Sequence, residues 1–145
     1  MTTYTGRQRV SAAFKKTFTD TDIKVDRIPA YPILGHHTAQ LVGASVREFL
    51  QDPKIFLKAQ VAAYERYRPD IIVMERDLLM DVEVMGNELK FPEDSMCIST
   101  RVALEDKGKL SRLQLADPAR DGRMPGYLES LAEAKASLPM PLSLQ

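Results

Sequence analysis

Apolar and polar positions follow two different periods along this chain, and the change from one to the other divides it into elements. From Arg7 to Phe18, the residues Val10, Ala13, Phe14 and Phe18 recur at helical spacing, which predicts an amphipathic helix buried along that face. "TDTDIKVD" then reads as a turn. "DRIPAYPIL", Asp26 to Leu34, reads as a short strand, and its two prolines place it at a strand end or an edge. "GHHTAQLVG" predicts a short helix between two glycines. Ser45 and Glu48 have capping-box spacing, and Asp52-Pro53 marks a further helix start with proline preset for the first position.

The helix from Pro53 is expected to run to about Tyr67, with Phe56, Ala59, Gln60, Ala63 and Tyr67 on one face, widened by Ala62 and Tyr64. "RPDIIVME" is a continuous apolar run of the kind found in a strand covered on both faces. Asp77 to Met85 returns to helical spacing, with Leu78, Val82 and Met85 on one side. "NELKFPEDSMCIS" alternates around Pro92-Glu93-Asp94 and predicts a β-hairpin. A last helix is expected over Pro125 to Ser137, and "LPMPLSLQ" begins another strand. Strands alternating with helices imply an α/β fold with a parallel sheet. In such sheets ligands bind beyond the C-terminal ends of the strands, where Glu75, Arg76 and Asp77 follow the Ile71–Met74 run.

Composition narrows the function classes. An apolar share of 44% and a charged share of 28% over 145 residues fit one ordinary globular domain. With 20 basic and 20 acidic residues the formal net charge is zero, which gives no electrostatic case for nucleic acid or an anionic membrane surface. No apolar run reaches membrane-spanning length, and "MTTYTGRQRV" lacks the apolar core of a secretion signal. The lone cysteine, Cys97, excludes an internal disulfide, so a reducing cytoplasm is the expected setting.

Three stretches in this order resemble the uroporphyrinogen decarboxylase superfamily, which includes cobalamin-linked methyltransferases. They are "RVSAAFKKT…DRIPAYPI", "YRPDIIVMERDLLMDVEVMG" and the hairpin "VEVMGNELKFPED". The resemblance covers nearly the whole chain. It implies the N-terminal portion of a (β/α)8 TIM barrel, with a leading helix and a β-hairpin insertion. Complete barrels typically need about 250 residues. Residues 1–145 are therefore expected to form a single partial barrel domain, inactive alone, that self-associates or meets a partner completing the barrel.

The resemblance also assigns roles. Asp77 matches the aspartate that in the decarboxylases faces the substrate's pyrrole N–H groups, and so is the candidate catalytic residue. The alternative is that it caps the following helix. Glu75 and Arg76 flank it as substrate contacts or as an ion pair over the barrel mouth. His36 and His37, after the first strand, are candidate substrate contacts. Helix neighbours point about 100° apart, so they make a poor chelate. The carboxylate of Asp77 is expected to lie beside one of them. Asp81 and Glu83 read as a solvated helix face, Cys97 as structural, and the methionines as core filler. The decarboxylases place arginines after the first strand to grip substrate carboxylates. This chain has "ILGHHTAQLVG" there and no arginine until Arg47. Three functions follow as expectations: the N-terminal half of a corrinoid-linked methyltransferase, a decarboxylase-like carboxy-lyase, or a non-catalytic half-barrel. The substrate would be a small molecule or a corrinoid protein. No cofactor or metal is expected on this chain alone. Corrinoid and zinc are implied only for a full-length relative, whose zinc ligands lie in the later half of the barrel.

Overall fold

Local capping chemistry sets the central helices. The computed structural model describes residues 4–19, 25–113, 115–139 and 141–143. In it α1 spans Gly6–Thr19, α2 His37–Gln40, α3 Val46–Gln51 and α4 Pro53–Tyr67. Ser45 Oγ accepts the Glu48 N–H at 3.2 Å, and the Glu48 carboxylate accepts the Ser45 N–H at 2.8 Å, which is the expected capping box. Asp52 Oδ1 accepts the N–H groups of Lys54 and Ile55, and Pro53 opens α4. At its far end Arg68 adopts a left-handed conformation, φ 48°, and Pro69 follows. Phe56, Ala59, Gln60 and Ala63 form the buried face of α4 as the spacing predicts, while Tyr67 stays exposed.

The second half contains β1 (Ile72–Val73), α5 (Met80–Val84), β2 (Glu88–Lys90), β3 (Ile98–Arg101), a 3-10 helix (Lys107–Arg112), α6 (Met124–Ser137) and β4 (Leu142–Ser143). β1 and β4 pair in parallel, Ile72 opposite Leu142 and Val73 opposite Ser143. A parallel pair needs a crossover connection, supplied here by α5, the hairpin and α6. β2 and β3 form the expected antiparallel hairpin, with an irregularity between Glu88 and Leu89. The result is an α/β arrangement whose core joins Phe49 and Leu50 of α3, Phe56 and Ala59 of α4, Ile72 and Met74 along β1, and Ala134 of α6. α6 approaches α4 closely because its facing residues are small and four apart. A Cβ on Gly126 would sit 3.0 Å from Pro53 Cγ, Ser130 Oγ donates to the Pro53 carbonyl at 3.0 Å, and Ala134 is fully buried.

Three expectations change. Residues 26–34 are extended but form no strand, because Pro29 and Pro32 lack donors. Their backbone bond to the strand region is Asp70 N–H to Ala30 O, at 2.9 Å. Among the described side chains of α1, Arg9, Val10 and Ala12 are buried, Val10 as expected, whereas Ala13 is exposed and Phe14 is 61% exposed. Most of the predicted 19–26 turn, and the Phe18 side chain, lie outside the described residues. In α5 the buried residue is Met80, and Leu78 and Met85 face outward.

The burial of Arg9 has a charge-pairing cause. Arg9 donates through Nε and Nη2 to both oxygens of Asp26, each at 2.7 Å, and through Nη1 to Asp70 at 2.8 Å. Asp70, 1% exposed at the foot of β1, also accepts from Arg27 and from the Ala30 N–H. Burial pushes the Asp70 carboxyl up, but the bonds from Ala30, Arg27 and Arg9 outweigh it and hold the group below its ordinary range. Gly6 permits this approach, since a Cβ there would lie 3.0 Å from the Asp70 backbone.

Asp70→Asn should leave two arginines without their shared carboxylate and lower unfolding free energy by about 3 kcal/mol, measured by urea denaturation at pH 7. Acid should also destabilise the wild type. The Arg9 hydrogen bonds hold Asp26 at about 2 in the fold, against about 3.9 unfolded. Its contribution is therefore complete above the unfolded value and is lost as pH falls toward the folded one.

Candidate functional site

Beyond the C-terminal tip of β1 the chain buries charge. Met74 is fully buried, Glu75 half-buried, and Arg76 and Asp77 buried. Asp77 Oδ1 accepts the Leu79 N–H at 2.6 Å, a local turn bond two residues on. The N-cap of α5 is Leu79, which has no side-chain cap, so Asp77 does not cap that helix as the alternative expected. Its other oxygen pairs with Arg123 Nη1. Arg123, immediately before α6, joins several elements at once. Its Nε donates to Glu83 of α5 at 2.8 Å, its Nη1 also donates to the Leu50 carbonyl of α3 at 2.8 Å, and its guanidinium lies 4.8 Å from the Phe91 ring centroid in the hairpin. Burial lowers the Arg123 pKa, but the bond to Asp77, the Asp77 charge and the bond and charge of Glu83 together outweigh it, and the net shift is upward.

Arg76 has no such partner. It is 3% exposed, and neither Nε nor Nη2 has an acceptor among the described residues. Its guanidinium stands 5.8 Å from the Phe56 ring centroid. Burial, then repulsion from Arg123, lowers its pKa to about 10, so it remains charged at neutral pH. Arg76 lines a cavity of about 280 Å³ together with Glu75, Asp77, Asp81, Met80, Met124, Tyr127 and Leu128. The Tyr127 hydroxyl donates to the Met74 carbonyl, and burial raises its pKa. Cys97 is buried in the core, and burial followed by the neighbouring Asp77 charge pushes its thiol up to about 11.

The sequence-predicted residues thus separate into two groups. Glu75, Arg76 and Asp77 share one cavity, whereas His36 and His37 do not line it. His37 Nε2 lies 3.1 Å from Tyr67 Oη, against the end of α4, and His36 occupies the start of α2 without a capping bond. Asp77 turns to Arg123 and the Leu79 N–H rather than to an imidazole. Glu75 and Arg76 form no ion pair with each other or with other described residues, and Glu83, expected on a solvated face, is tied to Arg123. The residue the sequence reading missed is Arg123, 46 positions from Asp77. Its one visible signal was that a buried acid at a strand tip needs a cation.

The uroporphyrinogen decarboxylase (URO-D) family model matches residues 7–144. The chain belongs to the uroporphyrinogen decarboxylase family. Its structure is similar to that of a methyltransferase from Methanosarcina mazei, with a TM-score of 0.75 and 22% sequence identity, over 97% of this chain and 42% of that one. The chain therefore spans less than half the length of that protein, and the likeness is one of fold. No curated protein matches it. Among the described residues of this URO-D family chain, no three His, Cys, Asp or Glu side chains converge as a metal set, and no helix is long and apolar enough to cross a membrane.

Two outcomes follow from the charge pairing. Asp77→Asn should lower unfolding free energy by about 3 kcal/mol, because it strands Arg123 in a buried position. A urea titration checks this, and an unchanged midpoint would show the pair to be dispensable. Cys97 should resist alkylation at pH 8 relative to the urea-unfolded chain, with the rate climbing only as pH approaches about 11. Rate against pH reads this directly.

Proposed function

We propose that this chain is the N-terminal part of a (β/α)8 barrel, with its substrate cavity at the tip of β1. We infer that the barrel transfers a methyl group in a corrinoid-linked reaction. The observation that carries the choice of reaction is the fate of the arginines. Arg27 is spent on Asp70 and the Ile28 carbonyl, and Arg123 on Asp77 and Glu83. That leaves Arg76 on the cavity, with two nitrogens that have no acceptor among the described residues. A porphyrinogen carries many carboxylates and needs several cations to hold it. A small methyl donor or acceptor does not. The fold's likeness to a protein named as a methyltransferase supports the same choice.

Within this reading Arg76 contacts substrate, Glu75 stands at the cavity wall, and Asp77 holds Arg123 in place while contributing its charge to the cavity. His36 and His37 would contact only a substrate long enough to leave the cavity. The described residues do not fit a zinc site, so no step is assigned to zinc on this chain. Carboxy-lyase activity is the second reading, favoured by one observation: Asp77 lines the cavity at the strand tip, as the family resemblance requires. The exposure of Ile28, at 87%, and of Ile33 and Tyr31 on the same segment supports association with a second copy or with a partner that completes the barrel. A half-barrel acting only in assembly would show that association and no turnover.

The test offers the protein, together with the polypeptide that completes its barrel, methylcobalamin and a thiol in one reaction and uroporphyrinogen in another. Loss of the methyl–cobalt absorbance without change in the porphyrinogen is the expected result. Loss of carboxylates from the porphyrinogen would establish the second reading instead, and inactivity in both would leave assembly as the role.

A further inference from the structure

The buried guanidinium of Arg76 has a counterpart elsewhere in the same chain that shows what it lacks. Arg9 presents its Nε and Nη2 edge to Asp26, and both bonds measure 2.7 Å. This is the parallel two-bond geometry that a planar guanidinium offers a carboxylate. In Arg76 the same two nitrogens are the ones without an acceptor. Arg76 is more than nine-tenths buried and lines the cavity at the tip of β1. A charge removed from water without an acceptor is unfavourable, so the site gains from any ligand that supplies one.

The rest of the lining restricts that ligand. Glu75 and Asp81 stand on the cavity wall and disfavour a second negative charge. Met80, Met124 and Leu128 give the wall an apolar surface. From these contacts we propose that the cavity is a monocarboxylate subsite, in which Arg76 grips the carboxylate through its Nε–Nη2 edge and the methionines and Leu128 cover an apolar body. The inference rests on the reading of this cavity as the substrate site and names the class of molecule it takes. The two nitrogens are closed to water, so the ligand meets them when the guanidinium turns into the cavity it already lines. Binding is thereby coupled to a side-chain shift, and a fully exposed ion pair would not need one. Arg123 also has one nitrogen without an acceptor among the described residues, Nη2, but it does not line the cavity, and Asp77 and Glu83 hold its other nitrogens.

Calorimetric titration of the chain with benzoate, without any methyl donor, tests the subsite. Saturable one-to-one binding is expected, with benzylamine and inorganic phosphate binding at least about tenfold more weakly. Arg76→Met should lose at least about tenfold in benzoate affinity while melting at or above the wild-type temperature, since an unpaired buried charge is replaced by an apolar chain of similar length. Arg76→Lys keeps the charge, lacks the planar edge, and should lose a comparable amount. The proposal is overturned by no saturable benzoate binding, by phosphate or benzylamine binding as tightly, by either variant retaining full affinity, or by an Arg76→Met melt below wild type. Binding without methyl transfer would remove the catalytic reading and leave the subsite standing. Methyl transfer without benzoate binding would do the reverse.

Discussion

A short buried strand can be held in place only if the groups at its two ends are satisfied, and in this chain both ends are satisfied by arginine. At the foot of β1 the Asp70 carboxylate collects Arg9, Arg27 and the Ala30 N–H. That arrangement fixes α1 and the extended 26–34 segment against the strand. At the tip, Asp77 takes Arg123, which also reaches Glu83 and the Leu50 carbonyl. The β1 ladder is two residues long and supplies little by itself. The ion clusters carry the orientation that a longer sheet would otherwise impose. Each is worth having only as a whole, because removing one member leaves a buried charge without its partner.

The two clusters differ in one respect that bears on function. At the foot, each guanidinium meets a carboxylate, and the network is closed. At the tip, Arg76 lies beside Arg123 and Asp77, and its Nε and Nη2, like Nη2 of Arg123, have no acceptor among the described residues. Of the two arginines, Arg76 lines the cavity. Structural pairs tend toward mutual satisfaction, whereas binding sites keep groups free for something else. The proposed site rests on this contrast more than on the position of the strand tip.

What the sequence disclosed follows the range of the interaction concerned. The Ser45–Glu48 box and the Asp52-Pro53 start are contained within four residues, and the helices begin where those residues say. The hairpin over 87–99 and the apolar run before Glu75 were equally legible, as was the parallel α/β order, with β4 pairing beside β1. Long-range pairs were not. The Arg9–Asp70 bond spans 61 residues and Arg123–Asp77 spans 46, and nothing in the local spacing announces either. Hydrophobic periodicity therefore placed Val10 correctly in α1 but also turned Ala13 and Phe14 inward, and it gave no sign that Arg9 is buried. It also chose the wrong side of α5, where Met80 rather than Leu78 packs inward. The histidine pair attracted notice through chemistry rather than placement: His37 lies against Tyr67, and neither histidine lines the cavity.

The account turns on which arginines are engaged and which is not, and side-chain NMR reads that directly. In a spectrum of arginine Nε–H groups, those of Arg9 and Arg123 should be shifted downfield by their carboxylates and slow to exchange. That of Arg76 should be slow to exchange, as a buried group is, but without the downfield shift. A carboxylate-like shift on Arg76 in the free protein, or rapid exchange at Arg123, would contradict the arrangement from which the site was derived.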